Sequence, residues 1–117
     1  MWFLFYEGAK MKKYEIVKSH DEFNKIIHAK KYVKNYEFVI YYQPHLEDYP
    51  KFGIAISNKF GDAVTRNHYK RQIRNIIDNN KNNFKKENNY IIMIKRSCLN
   101  VSYNNLNNSL IRLIKEI

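Results

Sequence analysis

Residues 64–77, VTRNHYKRQIRNII, put an apolar arc and a cationic arc side by side on one helix. At about 100° per residue, Tyr69, Ile73, Ile76 and Ile77 fall on one side. Arg66, Asn67, Lys70, Arg71 and Arg74 fall on the neighbouring side. A helix of this kind is stabilised mainly by sealing its apolar arc onto something else. The chain offers β-prone runs to receive it. YEFVIYY (36–42) and FGIAISN (52–58) are aromatic and β-branched, and NNYIIMIKR contains a strand from about Tyr90 to Lys95. Between the first two runs, QPHLEDYPK carries Pro44 and Pro50 and reads as a hairpin-like connection. A further weak strand is expected near residues 30–35.

Two more helices complete the pattern. Over residues 19–31 the apolar positions are Phe23, Ile26, Ile27 and Ala29, with Ser19 or Asp21 as cap. Near the end, Tyr103, Leu106, Leu110, Leu113, Ile114 and Ile117 recur at three and four behind a Ser102 cap. The basic helix spans about 63–79, after Gly61 and an Asp62 N-cap. The element order suggests a single α+β or α/β domain, with helices packed on one small sheet. Residues 1–10, MWFLFYEGAK, read as an N-terminal extension, either poorly ordered or a matter of which methionine starts the chain. Their apolar run is far too short to span a bilayer.

With 117 residues, the length suits one modest core. Lys and Arg number 21 against 11 Asp and Glu, a formal net charge of +10. Such an excess works against compactness and points to a polyanionic partner. Charge alone does not separate nucleic acid from an anionic membrane; the interleaved aromatics favour nucleic acid. Cys98 is the lone cysteine, so an internal disulfide is ruled out, and it reads as a small buried hydrophobe in a reducing cytosol. His20, His28, His45 and His68 lack metal-ligand spacing. Glu47, Asp48 and Asp62 do not make a convincing nuclease carboxylate set.

The spacing of the cations carries more information than their number. Arg66, Lys70 and Arg74 are spaced i, i+4, i+8, and Asn67 and Arg71 i, i+4, which aligns them along the axis. Like charges so placed repel, and the helix has no acid before Asp78 to offset them. A surface meant only for water would mix signs. Arginine in particular grips phosphate through a planar fork. Lys95 and Arg96 either extend this basic rim or mark where a strand reaches water. A DNA-binding helix-turn-helix would need a helix and tight turn before residue 64, where the sequence has the strand FGIAIS.

GIAISNKFGDAVTRNHYKRQIRN resembles the signature of the protein subunit of bacterial ribonuclease P. Gly53, Ser57, Lys59, Gly61, Ala63, Val64, Arg66, Asn67, Lys70, Arg71 and Arg74 match that signature in register. MKKYEIVKSHDEFNKII, NYEFVIYY and NNYIIMIKR extend the resemblance over residues 11–117. There are departures. His68 stands where the family has an arginine, Asp62 where it has an asparagine, and Ile27 where it has a second helix aromatic.

The resemblance implies an α-β-β-β-α-β-α fold with a left-handed β-α-β crossover, an exception to the usual hand. It implies partnership with a catalytic RNA and with precursor tRNA in the cytoplasm, and no DNA or membrane partner. The complex would remove the 5′ leader from precursor tRNA, with Mg2+ held mainly by the RNA and no catalytic residue in the protein. Lys59, Arg66, Asn67, His68 and Arg71 would face the catalytic RNA. Phe23, Ile27, Val39 and Tyr41 would line a leader cleft, with Lys70 and Arg74 at its basic edge. The alternative is a non-catalytic RNA-binding module of the ribosomal-protein kind.

Overall fold

The computed structural model describes residues 2–5, 16, 17, 19–46 and 49–117. In chain order the elements are β1 (Trp2–Phe5), α1 (His20–His28), β2 (Tyr32–Lys34), β3 (Phe38–Pro44), β4 (Lys51–Ser57), α2 (Ala63–Asn79), β5 (Asn88–Ile94) and α3 (Tyr103–Ile114). From α1 onward this is the α-β-β-β-α-β-α order. The strands form one five-stranded sheet in the order β1-β4-β5-β3-β2. β4 and β5 are parallel, joined through α2, and the other pairings are antiparallel. The expected weak strand is real: β2 pairs with β3 in the register Tyr32↔Tyr41, Val33↔Ile40 and Lys34↔Val39.

The hairpin-like connection is corrected. β3 and β4 are not neighbours, because β5 lies between them. The reason is burial. Every residue of β5, NNYIIMI, is buried, and a strand apolar on both faces is stable only with strands on both sides and layers above and below. The aromatic strand also starts later than its composition suggests. Asn35 Oδ1 accepts from the Glu37 and Phe38 backbone N–H groups at 3.1 and 2.8 Å, which makes residues 35–37 a turn and leaves Tyr36 exposed. Pro44 ends β3, where a missing N–H costs least.

Alternation along the strands splits the core in two. Phe38, Ile40, Ile54, Ile56, Ile92 and Ile94 face Ile73, Ile76 and Ile77 of α2 and Leu106, Leu110 and Leu113 of α3. On the other face Ala55, Ile91 and Met93 meet Phe23 and Ile26 of α1, together with Val17. The helix caps match the sequence: Ser19 Oγ accepts from Glu22 N at 3.1 Å, and Ser102 Oγ from Asn105 N at 3.2 Å. The 35–37 turn is pinned to α3, because Asn35 Nδ2 donates to Ser109 Oγ (2.9 Å) and Ser109 Oγ donates to Glu37 Oε1 (2.7 Å).

Of the N-terminal extension, Trp2–Phe5 pairs antiparallel with β4 at the sheet edge. The other residues of 1–10 lie outside the described ones. Ile92, fully buried in the central strand, is the position where lost volume should matter most. Ile92→Ala should lower the unfolding free energy by roughly 2–5 kcal/mol in chemical denaturation, with the slope on denaturant unchanged.

Candidate nucleic-acid interface

The cationic surface is built on the junction between β4 and α2. Ser57 Oγ accepts from Lys59 N at 3.2 Å and starts a 3₁₀ turn, Asn58–Phe60. Phe60 is buried edge-on against Tyr69, with ring centroids 4.9 Å apart. Gly61 then passes close to α2: a Cβ there would meet Thr65 Cγ2 at 3.2 Å, so the first helical turn would have to give. Asp62 caps the helix, its Oδ1 accepting from Thr65 N at 2.8 Å. Arg66 reaches back from the helix. Its Nη1 donates to Gly61 O at 2.6 Å and to Asn58 O at 3.3 Å. Arg66 therefore holds the turn that displays Lys59, and is only partly a surface cation. Arg96 Nη1 lies 3.5 Å from Lys59 O, which places this exposed guanidinium beside the same turn. Lys95 instead turns its Nζ to Asn35 O at 2.9 Å. So Arg96, and not Lys95, extends the basic rim that the sequence left undecided.

Burial separates the two rows of α2. Asn67, His68 and Arg71 are exposed, Arg66 and Arg74 are half-buried, and Lys70 is only 7 % exposed. Lys70 stands on the cationic arc of the wheel but is covered. That residue follows Tyr69 and precedes Ile73, and the helix is rolled far enough onto the sheet to take its stem in. Desolvation, and secondarily the nearby Arg66 charge, hold the Lys70 ammonium below the usual lysine value. His68 is paired along the helix, its Nε2 lying 3.1 Å from Gln72 Nε2, with its ring edge-on to Tyr69 at 5.5 Å.

A second surface lies on the opposite side of the sheet. Phe23, Ile27, Val39 and Tyr41 do come together in the cluster under α1. Phe23 is 9 % exposed and belongs to the packing that holds α1 down. Ile27, Val39 and Tyr41 are half-buried, Ile27 on the helix and Val39 and Tyr41 on the sheet below it. Tyr32 lies against Tyr41, with ring centroids 5.3 Å apart and planes at 44°. One end of this groove is polar. A cavity of about 490 Å³ there is lined by Ser19, Glu22, Gln43, Lys51 and Asn89 among others, and Lys51 Nζ meets Glu22 Oε2 at 3.5 Å. Asn89 Oδ1 is buried in this polar end without a hydrogen-bond partner. Lys70 and Arg74 are not part of this groove. They ride on α2, whose apolar side packs the other face.

Among the described residues no three His, Cys, Asp or Glu side chains converge as a metal-holding group. Of the imagined carboxylate set, Glu47 and Asp48 lie outside the described residues, and Asp62 serves as a helix cap. Cys98 is fully buried, and burial, followed by the Glu37 charge, pushes its thiol up to about 12. A strand and a 3₁₀ turn precede α2, which excludes the helix-turn-helix arrangement. Among the described residues no helix is long and apolar enough to cross a membrane.

The backbone N–H of Thr65, then its hydroxyl and the Arg66 charge, hold the Asp62 carboxyl below its ordinary 3.8. A depressed carboxylate contributes stability that is complete above the unfolded value and is lost as pH falls through the folded one. Asp62→Asn keeps the cap acceptor and removes the charge. Melting temperatures of the two proteins should therefore differ near neutrality and converge as the pH drops below about 3.8. Parallel curves through that window would remove the carboxylate from the account.

Comparison with known proteins bears on the family and the fold. The family model for ribonuclease P matches residues 11–117. The ribonuclease P protein component of Mycoplasma mycoides is 44% identical over 108 residues, covering 92% of this chain and 99% of that protein. A counterpart from Bacillus cereus is 36% identical over 107 residues, covering 90% of this chain and 92% of that one. Among solved structures, the RNase P protein from Thermotoga maritima superposes with a TM-score of 0.82 at 27% identity, covering 88% of this chain and 97% of its own. The Staphylococcus aureus protein gives 0.80 at 27% identity, covering 87% and 94%. A basic turn-and-helix in register, the α-β-β-β-α-β-α sheet and near full-length similarity make the chain a member of the bacterial ribonuclease P protein component family.

Proposed function

We propose that this protein binds the ribonuclease P catalytic RNA with one side of its sheet and the 5′ leader of precursor tRNA with the other, promoting endonucleolytic release of the leader. The observation that carries this reading is the division of binding residues between two surfaces. Lys59, Asn67, His68 and Arg71, with Arg96 added, stand on the 3₁₀ turns and α2. Ile27, Val39 and Tyr41 lie partly buried against the cluster under α1, on the face whose end holds the polar cavity. The first surface suits a folded RNA presenting phosphates, the second an extended strand presenting base faces. An unpartnered buried acceptor such as Asn89 Oδ1 is the kind of group that a bound polar strand would satisfy.

In this reading the chemistry belongs to the RNA. Magnesium held by that RNA would supply the activation of water and the stabilisation of the leaving oxygen. The protein supplies no nucleophile; it holds the substrate strand and lowers the electrostatic cost of bringing polyanions together. Arg66 acts chiefly by holding the turn. Lys70 and Arg74 serve as the basic edge only for a strand that reaches the α2 side. The complex works in the cytoplasm, with its RNA partner.

Reconstitution with the cognate RNA tests the proposal. Adding the protein should stimulate cleavage of precursor tRNA at low magnesium, and a lack of stimulation across several leader sequences would sink it. Within that assay, Tyr41→Ala should weaken binding of precursor but not of mature tRNA by ~1–3 kcal/mol. Equal losses on both would return Tyr41 to the core. Salt titration of protein–RNA binding separates the α2 cations. Arg71→Ala should flatten the log–log slope by about one and His68→Arg should steepen it by a similar amount, and unchanged slopes would refute phosphate contacts at these positions.

A further inference from the structure

The edge strand β2 continues the floor of the α1 groove. In its pairing with β3, Tyr32 lies opposite Tyr41 and Lys34 opposite Val39, while Val33 turns to the other face against the larger core. Directly opposed residues share a face. The groove floor therefore does not stop at Val39 and Tyr41. It runs outward onto an aromatic and a cation that no signature residue of the family marks. Tyr32 is 47 % exposed although its ring touches Tyr41 at 5.3 Å.

The surroundings are cationic. Between Glu22 and Glu37 the chain has no acid, and Lys25, His28, Lys30, Lys31 and Lys34 are all exposed. Lysines on an edge strand also discourage pairing with another sheet, which accounts for the charges alone. It does not account for a half-exposed tyrosine held against the groove's own aromatic. Cations tracking a backbone beside aromatic faces are the chemistry of single-stranded RNA recognition. The geometry also says how the pair would be used. A base slotted between two rings needs them roughly twice the ~3.4 Å stacking repeat apart. At 5.3 Å and 44° the two tyrosines are too close for that, and instead offer adjacent, differently tilted faces to successive bases.

We infer that Tyr32, with Lys34 beside it, is a second stacking position for the RNA leader. It would carry the strand from the α1 groove across β2 and the lysines of the α1–β2 connection. The inference rests on the leader-groove reading proposed above. In this chain the helix side of the groove carries Ile27, an aliphatic contact, so aromatic stacking falls to the sheet side, to Tyr41 and Tyr32.

The test uses holoenzyme reconstituted with the cognate RNA and three substrates: precursor tRNA with a full leader, precursor with a leader cut to a couple of nucleotides, and mature tRNA. Tyr32→Ala should weaken full-leader binding by about fivefold or more, leave mature tRNA unaffected, and lose its effect on the short leader. Tyr32→Trp should restore the affinity. If Tyr41→Ala weakens precursor binding and Tyr32→Ala does not, the second stacking position is wrong and the groove stands. If neither variant discriminates precursor from mature tRNA, the groove reading itself falls. A loss at Tyr32→Ala that is equal for all three substrates would place the tyrosine against the catalytic RNA and overturn the inference. A photoreactive base in the leader gives a readout that needs no variant: crosslinking should reach residues 31–34, and crosslinks confined to the α1 groove would count against it.

Discussion

The structure depends on a central strand in which every residue is buried. That strand, β5, pairs in parallel with β4 on one side and antiparallel with β3 on the other. Such a strand is stable only at the centre of a sheet with packing above and below. Its even-numbered isoleucines, Ile92 and Ile94, draw α2 and α3 onto one face. Its odd-numbered Ile91 and Met93 draw α1 onto the other. The parallel pairing with β4 also requires a long crossover, and α2 is that crossover. The helix that carries most of the signature cations is thus the same element that closes the sheet.

In the proposed reading, function follows from having two faces. A protein between two RNAs would force the polyanions together if both sites lay on one surface. Here the cations lie on the α2 side of the sheet and the partly buried Tyr41 and Val39 on the α1 side. The site residues are also not equivalent. Arg66 uses its guanidinium on the carbonyls of Gly61 and Asn58, which fixes the turn beneath Lys59 and Arg96. Lys70 is covered by the packing of α2, and the desolvation holds its ammonium below the usual lysine value. Of the proposed RNA-facing residues on that helix, Asn67, His68 and Arg71 are left open. A row of like charges on a helical wheel is therefore graded, by how each side chain sits on the fold, from structural clamp to exposed contact.

Much of this was legible in the chain itself. α2 has the limits expected of it, because Gly61, the Asp62 cap and the three-and-four spacing of Ile73, Ile76 and Ile77 are local signals. The caps Ser19 and Ser102 were visible for the same reason. Less legible was anything that depends on a partner distant in sequence. The neighbours of β3 could not be read from a Pro-bounded connection, because strand pairing is set by which runs are apolar on both faces. Phe23, which the resemblance puts in the leader cleft and its place on a helix face puts in the core, is mostly covered here, and a helical wheel does not say how deeply a helix sinks. Arg96 and Tyr32 carried no motif; each gains its significance from what lies beside it, the Lys59 carbonyl and the Tyr41 ring.

The sequence by itself determined the three helices and the strands after α1, the caps, the cationic register of residues 59–74 and membership of a family, because these are properties of spacing along the chain; it did not show that Trp2–Phe5 adds an edge strand. The tertiary structure alone decided that β5 sits between β3 and β4, that the cationic and aromatic surfaces lie on opposite faces, and that Lys70 is covered while Tyr32 is not. Those outcomes turn on competition among apolar surfaces for a limited interior. That competition is settled only when all the strands and helices are packed together.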